Sequence, residues 1–137
     1  MSFHANGLTE PEPASRETLV FPTILHNEGG GYNPSTGVFT APRGGAYLFV
    51  AALQGKGRQA GEDTVRVQLV QDGSMRQEVV TKADRENDWD STSVQAVLRL
   101  ATGSQVWLRA ESTQNRFALG NTMLFNTFSG ILITPEP

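Results

Sequence analysis

The residues best placed to do chemistry are four carboxylates that alternate along a short segment, at positions 84, 86, 88 and 90. In an extended chain alternate side chains share one face, so these carboxylates repel one another unless a cation or water separates them. Calcium is such a cation, because it takes six to eight oxygen ligands from carboxylates, carbonyl groups and water. The segment lacks the glycine and terminal glutamate of a helix-loop-helix calcium loop. On composition alone, two interpretations stay open: a calcium site, or a solvated loop in which Arg85 partly balances the charge.

No constellation typical of an enzyme accompanies this segment. The only imidazoles are His4 and His26, and they do not have the spacing of a zinc motif. The glycine run 29–31 precedes Tyr32-Asn33-Pro34, which is a turn sequence and not the start of a phosphate-binding helix. We therefore predict a non-enzymatic protein with no catalytic residues and no organic cofactor.

Charge and hydropathy exclude two classes of partner. The chain has 11 basic and 14 acidic residues and a formal charge of -3, so no basic excess favours nucleic acid. Its longest apolar run, Ala46 to Leu53, is eight residues, whereas a membrane-spanning helix needs about 20. The first residues show neither the basic nor the apolar region of a secretory signal peptide. If the protein is secreted, this chain is expected to be a processed or excised piece.

Turn residues recur at short intervals, and the segments between them are too short for helices. Val65, Val67 and Leu69 alternate with Arg66 and Gln68, which predicts a strand with one face on a core and one toward solvent. The 137 residues fit one domain, and the pattern favours a β-sandwich or jelly roll.

Several of these strands are apolar on both faces. Examples are Tyr47 to Leu53, Val106 to Leu108 and Ile131 to Ile133. An antiparallel sandwich usually leaves one face of each sheet wet, so a second apolar face needs a cover. A second subunit would provide that cover, which predicts an oligomer. The alternative is that these strands are simply central and well buried.

The spacing of aromatic, asparagine and glycine residues from position 21 onward resembles the signature of the complement C1q globular-domain family. Further blocks continue the resemblance, in the expected order, over nearly the whole chain. The signature positions are Phe21, Asn27, Tyr32, Phe39, Gly45, Tyr47 and Phe49, and the further blocks are Ser2 to Ala5, Leu98 to Gly103, Val106 to Leu108 and Phe128 to Ile133.

The resemblance implies an all-β, ten-stranded antiparallel jelly-roll sandwich, forming a single head domain over residues 1–137 and assembling as a homotrimer. It also implies an extracellular, secreted location. Many members of the family hold calcium near the trimer apex with a side chain just before a Ser-x-Ser strand. Asp90 precedes Ser91-Thr92-Ser93 and matches that position, whereas Asp84 and Asp88 are added as metal ligands from spacing alone.

Three functions remain open at this point. The first is a recognition head that binds a protein, anionic-surface or glycan ligand through apical loops at residues 55–63, 84–90 and 111–121. The second is a structural module that trimerises a collagen-like or other extracellular matrix protein. The third is a cytokine-like ligand that acts on a receptor, as the tumour necrosis factor-like fold allows.

Overall fold

The computed structural model describes residues 1–8, 16–56, 63–83, 89–114, 118–119 and 126–137. Within these residues the chain forms strands and no helix, and every pairing between strands is antiparallel. Sheet I contains β1 (Ser2–Asn6), β2 (Thr23–Glu28), β5 (Gly45–Lys56), β8 (Trp89–Leu100), β10 (Ala118–Leu119) and β11 (Thr127–Pro135). Sheet II contains β3 (Tyr32–Asn33), β4 (Val38–Thr40), β6 (Asp63–Gln71), β7 (Ser74–Ala83) and β9 (Gln105–Gln114).

Each sheet is five strands wide. Sheet II has the order β3-β4-β9-β6-β7. In sheet I, β8 pairs with the whole length of β5. The opposite edge of β5 is shared by two strands, since β10 pairs with residues 55–56 and β11 pairs with residues 45–52. The order is therefore β8-β5-β11-β1-β2, with β10 continuing the β11 position. The prediction of an all-β jelly roll is confirmed, and the two-residue β10 accounts for the eleventh strand among the described residues.

The core lies between the sheets and is rich in aromatic rings. Phe3 stacks on Tyr32 and Phe39 with ring centroids 4.8 Å and 5.1 Å away, and it meets Phe128 edge-on at 5.0 Å. Aromatic pairs of this kind add about 0.5 to 1.5 kcal/mol each beyond the burial of their area. The buried aromatic residues are Phe3, Phe21, Tyr32, Phe39, Tyr47, Phe49 and Phe128.

The alternation predicted in β6 is confirmed for Val67 and Leu69 and wrong for one polar residue, while the side chain of Val65 lies outside the described residues. Val67 and Leu69 are buried and Arg66 is exposed, but Gln68 is only 7 % exposed. Its amide is satisfied on both sides, since Arg109 Nη2 donates to Gln68 Oε1 at 2.7 Å and Gln68 Nε2 donates to Glu78 Oε2 at 2.9 Å. Long polar side chains from β7 and β9 thus cover Gln68 and offset the cost of removing it from water.

Strand β5 is apolar on both faces, as the sequence predicts. Tyr47, Phe49 and Ala51 point into the core, whereas Leu48 and Val50 are half-buried on the outer face of sheet I. The sandwich alone therefore does not bury all the apolar residues of its central strand. In the part of the chain that the structure describes, no helix has the length and hydropathy needed to cross a membrane.

Candidate functional site

The outer face of sheet I carries an apolar row that runs across three neighbouring strands. Val97 on β8 lies opposite Leu48 on β5, and Leu48 lies opposite Ile131 on β11. Val97 is 63 % exposed and Ile131 is 50 % exposed. Isolated apolar residues are common on protein surfaces, whereas a contiguous exposed row is typical of a surface that takes part in an interaction.

The glycine at position 130 fixes which side chains of β11 reach this face. A methyl group at Gly130 would lie 2.6 Å from Phe3 Cε1 and 2.9 Å from Phe49 Cδ1. The backbone of β11 is therefore packed directly against the aromatic core at this point. Because side chains alternate along a strand, Ser129 and Ile131 both point outward.

A bulge leaves further exposed apolar residues at the edge of sheet I. The register between β1 and β2 shifts between His4 and Ala5, so that two residues of β2 face a single position of β1. The extra residue is Leu25, which is 59 % exposed. Its neighbour Ile24 is also exposed.

A second row of the same face contains both histidines. His26 lies opposite His4, His4 lies opposite Ser129, and Ser129 lies opposite Val50. This row and the apolar row line a shallow pocket of about 290 Å³. The residues lining it are Ser2, Phe3, His4, His26, Leu48, Val50, Ser129, Gly130 and Ile131.

The structure adds a serine hydroxyl to each imidazole, which sequence reasoning missed. Ser2 Oγ lies 2.6 Å from His26 Nε2, and Ser129 Oγ hydrogen-bonds with His4 Nδ1. A nucleophile and base pair also needs a third group that orients the base. The described residues lining the pocket offer no carboxylate for that role. Each hydroxyl contacts one ring nitrogen and so restricts the orientation of its imidazole. No signal in the sequence could have revealed contacts between residues so far apart.

A second surface of interest is the end of the sandwich from which the predicted recognition loops leave. Six residues connect β5 to β6 and five connect β7 to β8. Each connection reaches at most about 25 Å, whereas β5 is about 40 Å long, so the strand ends that it joins lie at the same end of the molecule. We call this the loop end. It is formed by the strand ends Lys56, Asp63, Ala83, Trp89, Gln114 and Ala118.

Of the predicted calcium ligands, the structure places the backbone of Asp90 at this loop end. Asp90 is the second residue of β8, and its backbone lies opposite Gly55. Asp84 and Asp88 lie outside the described residues, as does the side chain of Asp90. Among the side chains that the structure does describe, no three histidine, aspartate or glutamate residues are grouped so that they could hold a metal ion. The calcium site stays a prediction.

Comparison with known proteins identifies the family. A sequence model of the C1q domain matches residues 2–133. The chain belongs to the C1q domain family. This confirms the resemblance based on the aromatic and glycine spacing.

Individual relatives of this C1q-domain chain are distant. It is 28% identical over 115 residues to Protein HP-25 homolog 1 of Bos taurus, a match that covers 84% of the chain and 51% of that protein. It is 27% identical over 128 residues to the Collagen alpha-1(X) chain of Mus musculus, covering 93% of the chain and 18% of that protein. The chain thus spans about half the length of the first relative and about a fifth of the second.

A solved structure supports the same fold. The globular domain of zebrafish complement 1qA protein superposes with a TM-score of 0.69, and the match covers 98% of both chains. The two sequences are 19% identical, so the similarity concerns the fold alone.

Proposed function

We propose that this chain is the non-enzymatic globular head of an extracellular C1q-type protein, that it assembles as a homotrimer through the outer face of sheet I, and that it binds a protein or glycan ligand at the loop end. The observation that carries the proposal is the exposed apolar row of Val97, Leu48 and Ile131. Membership of the C1q domain family supports a second copy of the chain as the molecule that covers this row.

The energetic reason for assembly is the removal of this row from water. Burying apolar surface contributes about 25 cal/mol per Å². The strands already fix the backbone of Leu48, Val97 and Ile131, so little backbone entropy is lost when a second copy covers them. A trimer would also present three loop ends in one direction, and such multivalency strengthens weak individual contacts with a repetitive ligand.

The test of assembly is a lysine substitution on the apolar row. Ile131→Lys places a charge in the proposed contact, and the exposure of Ile131 means that the single chain should still fold. Val80→Lys is a matched control, because Val80 is 41 % exposed and lies on β7 of sheet II. Light scattering should give a mass of three chains for the wild type and Val80→Lys, and one chain for Ile131→Lys. A single-chain mass for the wild type would contradict the proposal.

The structural role is a second candidate, favoured by the match to a collagen chain. In that role the head trimerises a longer polypeptide, and the loop end needs no ligand. The two functions are separated by replacing residues 57–62 with a glycine and serine linker. If the recognition proposal holds, binding to arrayed glycans and extracellular proteins disappears while the trimer mass is retained. If only substitutions on sheet I have an effect in the full-length protein, the structural role is favoured.

Calcium at the loop end is part of the recognition proposal. Asp90 would supply a carboxylate oxygen, with Asp84 and Asp88 as companions from the connection between β7 and β8. The ion would screen carboxylates that otherwise repel one another. Its contribution is therefore to order the loops that contact the ligand, and no chemical step is involved.

A further inference from the structure

The two histidines of the chain form a pair on the surface that we propose is buried on assembly. His4 on β1 and His26 on β2 lie directly opposite each other in the sheet. Residues in this relationship have Cβ atoms about 4.5 to 5.5 Å apart. Since they are 22 positions apart in sequence, only the register between β1 and β2 brings them together.

Hydrogen bonds hold both rings in place. Ser129 contacts His4 Nδ1, and Ser2 contacts His26 Nε2. In each ring the other nitrogen has no role in these bonds and can take up a proton from water. His4 is half-buried and His26 is exposed, so water reaches both rings in a single chain.

The surroundings of the pair are poor at stabilising positive charge. The pocket residues from β5 and β11 are Leu48, Val50, Ser129, Gly130 and Ile131, and none of them carries a charge. A second copy that covers the pocket would replace water with apolar surface. Burial in such surroundings disfavours the protonated imidazole, and two protonated rings placed opposite each other also repel.

The charged groups that face the pair are few among the described side chains. On β2, Glu28 lies two residues from His26 on the same face, and its carboxylate is 3.4 Å from the amino group of Met1. On β8, Arg99 lies on the outer face two residues beyond Val97. Strands β5 and β11 lie between Arg99 and the two histidines. Glu28 is thus the one described carboxylate that can offset a proton on His26, and His4 has no carboxylate of its own.

We propose that His4 and His26 make assembly sensitive to acid: copies of the chain associate through sheet I while both imidazoles are neutral, and they separate when the imidazoles are protonated. This inference rests on the proposed trimer. Association would exclude the protonated form, so it would release protons, and the association constant would fall as the pH falls. Histidine is the side chain that ordinarily changes its charge between pH 5 and 8, so separation is expected on mild acidification.

The stoichiometry makes the effect steep. Two histidines in each chain give six in a trimer. If covering disfavours the protonated form tenfold at each ring, full protonation lowers the association constant by about a factor of 10⁶. Separation of the copies also ends multivalent binding, so a ligand held by three loop ends would be released in an acidic environment.

The experiment is sedimentation velocity of the full chain at pH 7.5 and pH 5.5, at one ionic strength and with calcium present throughout. The wild type should sediment as three chains at pH 7.5 and as one chain at pH 5.5. The variant His4→Gln/His26→Gln should sediment as three chains at both pH values, because glutamine can hydrogen-bond with the serine hydroxyls without titrating. Circular dichroism at pH 5.5 should show that the separated wild-type chain is still folded.

A further variant tests the electrostatic argument. Glu28→Gln removes the carboxylate that favours a proton on His26 in the single chain, so its copies should separate at a lower pH than those of the wild type. Three wild-type chains at both pH values would overturn the inference and leave the proposed trimer intact. Separation of the double histidine variant at the same pH as the wild type would also overturn it. One wild-type chain at both pH values would instead overturn the proposed assembly, and the inference with it.

Discussion

The Tyr32 hydroxyl hydrogen-bonds with both the amide and the carbonyl group of the buried residue Phe21. It accepts a hydrogen bond from the Phe21 amide at 3.0 Å and donates one to the Phe21 carbonyl oxygen at 2.9 Å. Phe21 is fully buried, so water cannot replace either bond. A single side chain thus secures the segment that leads into β2, beside the surface we propose is buried on assembly.

Removing this hydroxyl is expected to be costly. Tyr32→Phe leaves one donor and one acceptor buried without partners, which should lower the free energy of unfolding by about 2 to 4 kcal/mol. Tyr47→Phe is the matched control, since the Tyr47 hydroxyl makes one bond, at 2.6 Å, to the Arg43 carbonyl oxygen in a partly exposed turn. Its loss should cost about 1 kcal/mol. Urea unfolding followed by circular dichroism measures both, and equal losses would contradict the role of Tyr32.

The same burial predicts a loss of stability in alkali. Burial raises the pKa of Tyr32 to about 12, partly offset by its hydrogen bond with Phe21. An unfolded tyrosine titrates near pH 10. The folded state therefore binds the proton more tightly than the unfolded state, so this contribution to stability is complete below pH 10 and is lost as the pH rises toward 12. Burial also raises the pKa of Tyr47, and its effect has the same sign.

Urea midpoints measured at pH 9, 10 and 11 test this linkage. The wild type should lose stability steadily above pH 10, and Tyr32→Phe should lose less over the same interval because one titrating group is gone. Parallel losses in the two proteins would show that other groups control alkaline unfolding.

The start of β5 depends on a glycine. Gly45 has a φ of +152°, and a methyl group there would collide with the Thr134 carbonyl oxygen and lie 2.9 Å from Pro135 Cα. These are backbone atoms of the neighbouring strand and cannot turn away. Gly45→Ala should therefore cost about 3 to 5 kcal/mol through strain and overpacking together.

Gly73→Ala is the control that measures the backbone strain of a positive φ without steric overlap. Gly73 has a φ of +90°, and a methyl group there would have no atom within 4 Å, so the substitution should cost about 1 kcal/mol. Thermal unfolding of both variants measures the difference. A smaller loss for Gly45→Ala than for Gly73→Ala would show that β5 and β11 can separate at this point.

The sequence predicts the fold well where the information is local. Alternation places Val67 and Leu69 in the core, and the signature spacing brings together Asn27 and Tyr32. The Asn27 side chain donates to the Tyr32 carbonyl oxygen at 2.9 Å and accepts from the Tyr32 amide at 3.2 Å, bridging the turn between β2 and β3. Such contacts span a few residues, so a single sequence can specify them.

Contacts between distant strands escape sequence analysis. Alternation alone places Gln68 in water, because it does not show that Arg109 on β9 covers it. The pairing of His4 with His26 and Ser129 depends on the register of three strands and on the bulge in β1 and β2. Pattern analysis of either segment treats each histidine as isolated. The surface that the proposed assembly buries becomes recognisable only when the register is known.

The calcium prediction is tested at Asp90, at the start of β8. Asp90→Ala should weaken calcium binding, measured by calorimetry, because one charged oxygen ligand is lost from a site that needs several. The mass in solution should stay at three chains, since the proposed assembly uses the outer face of sheet I and not the loop end. Asp72→Asn is the control, because Asp72 Oδ1 accepts from the Gln105 amide in the turn at the opposite end of the sandwich. Equal calcium affinity in Asp90→Ala and Asp72→Asn would show that Asp90 is not a ligand in the proposed site. Loss of the trimer in Asp90→Ala would show that the calcium ion acts in assembly and not in ordering the loops.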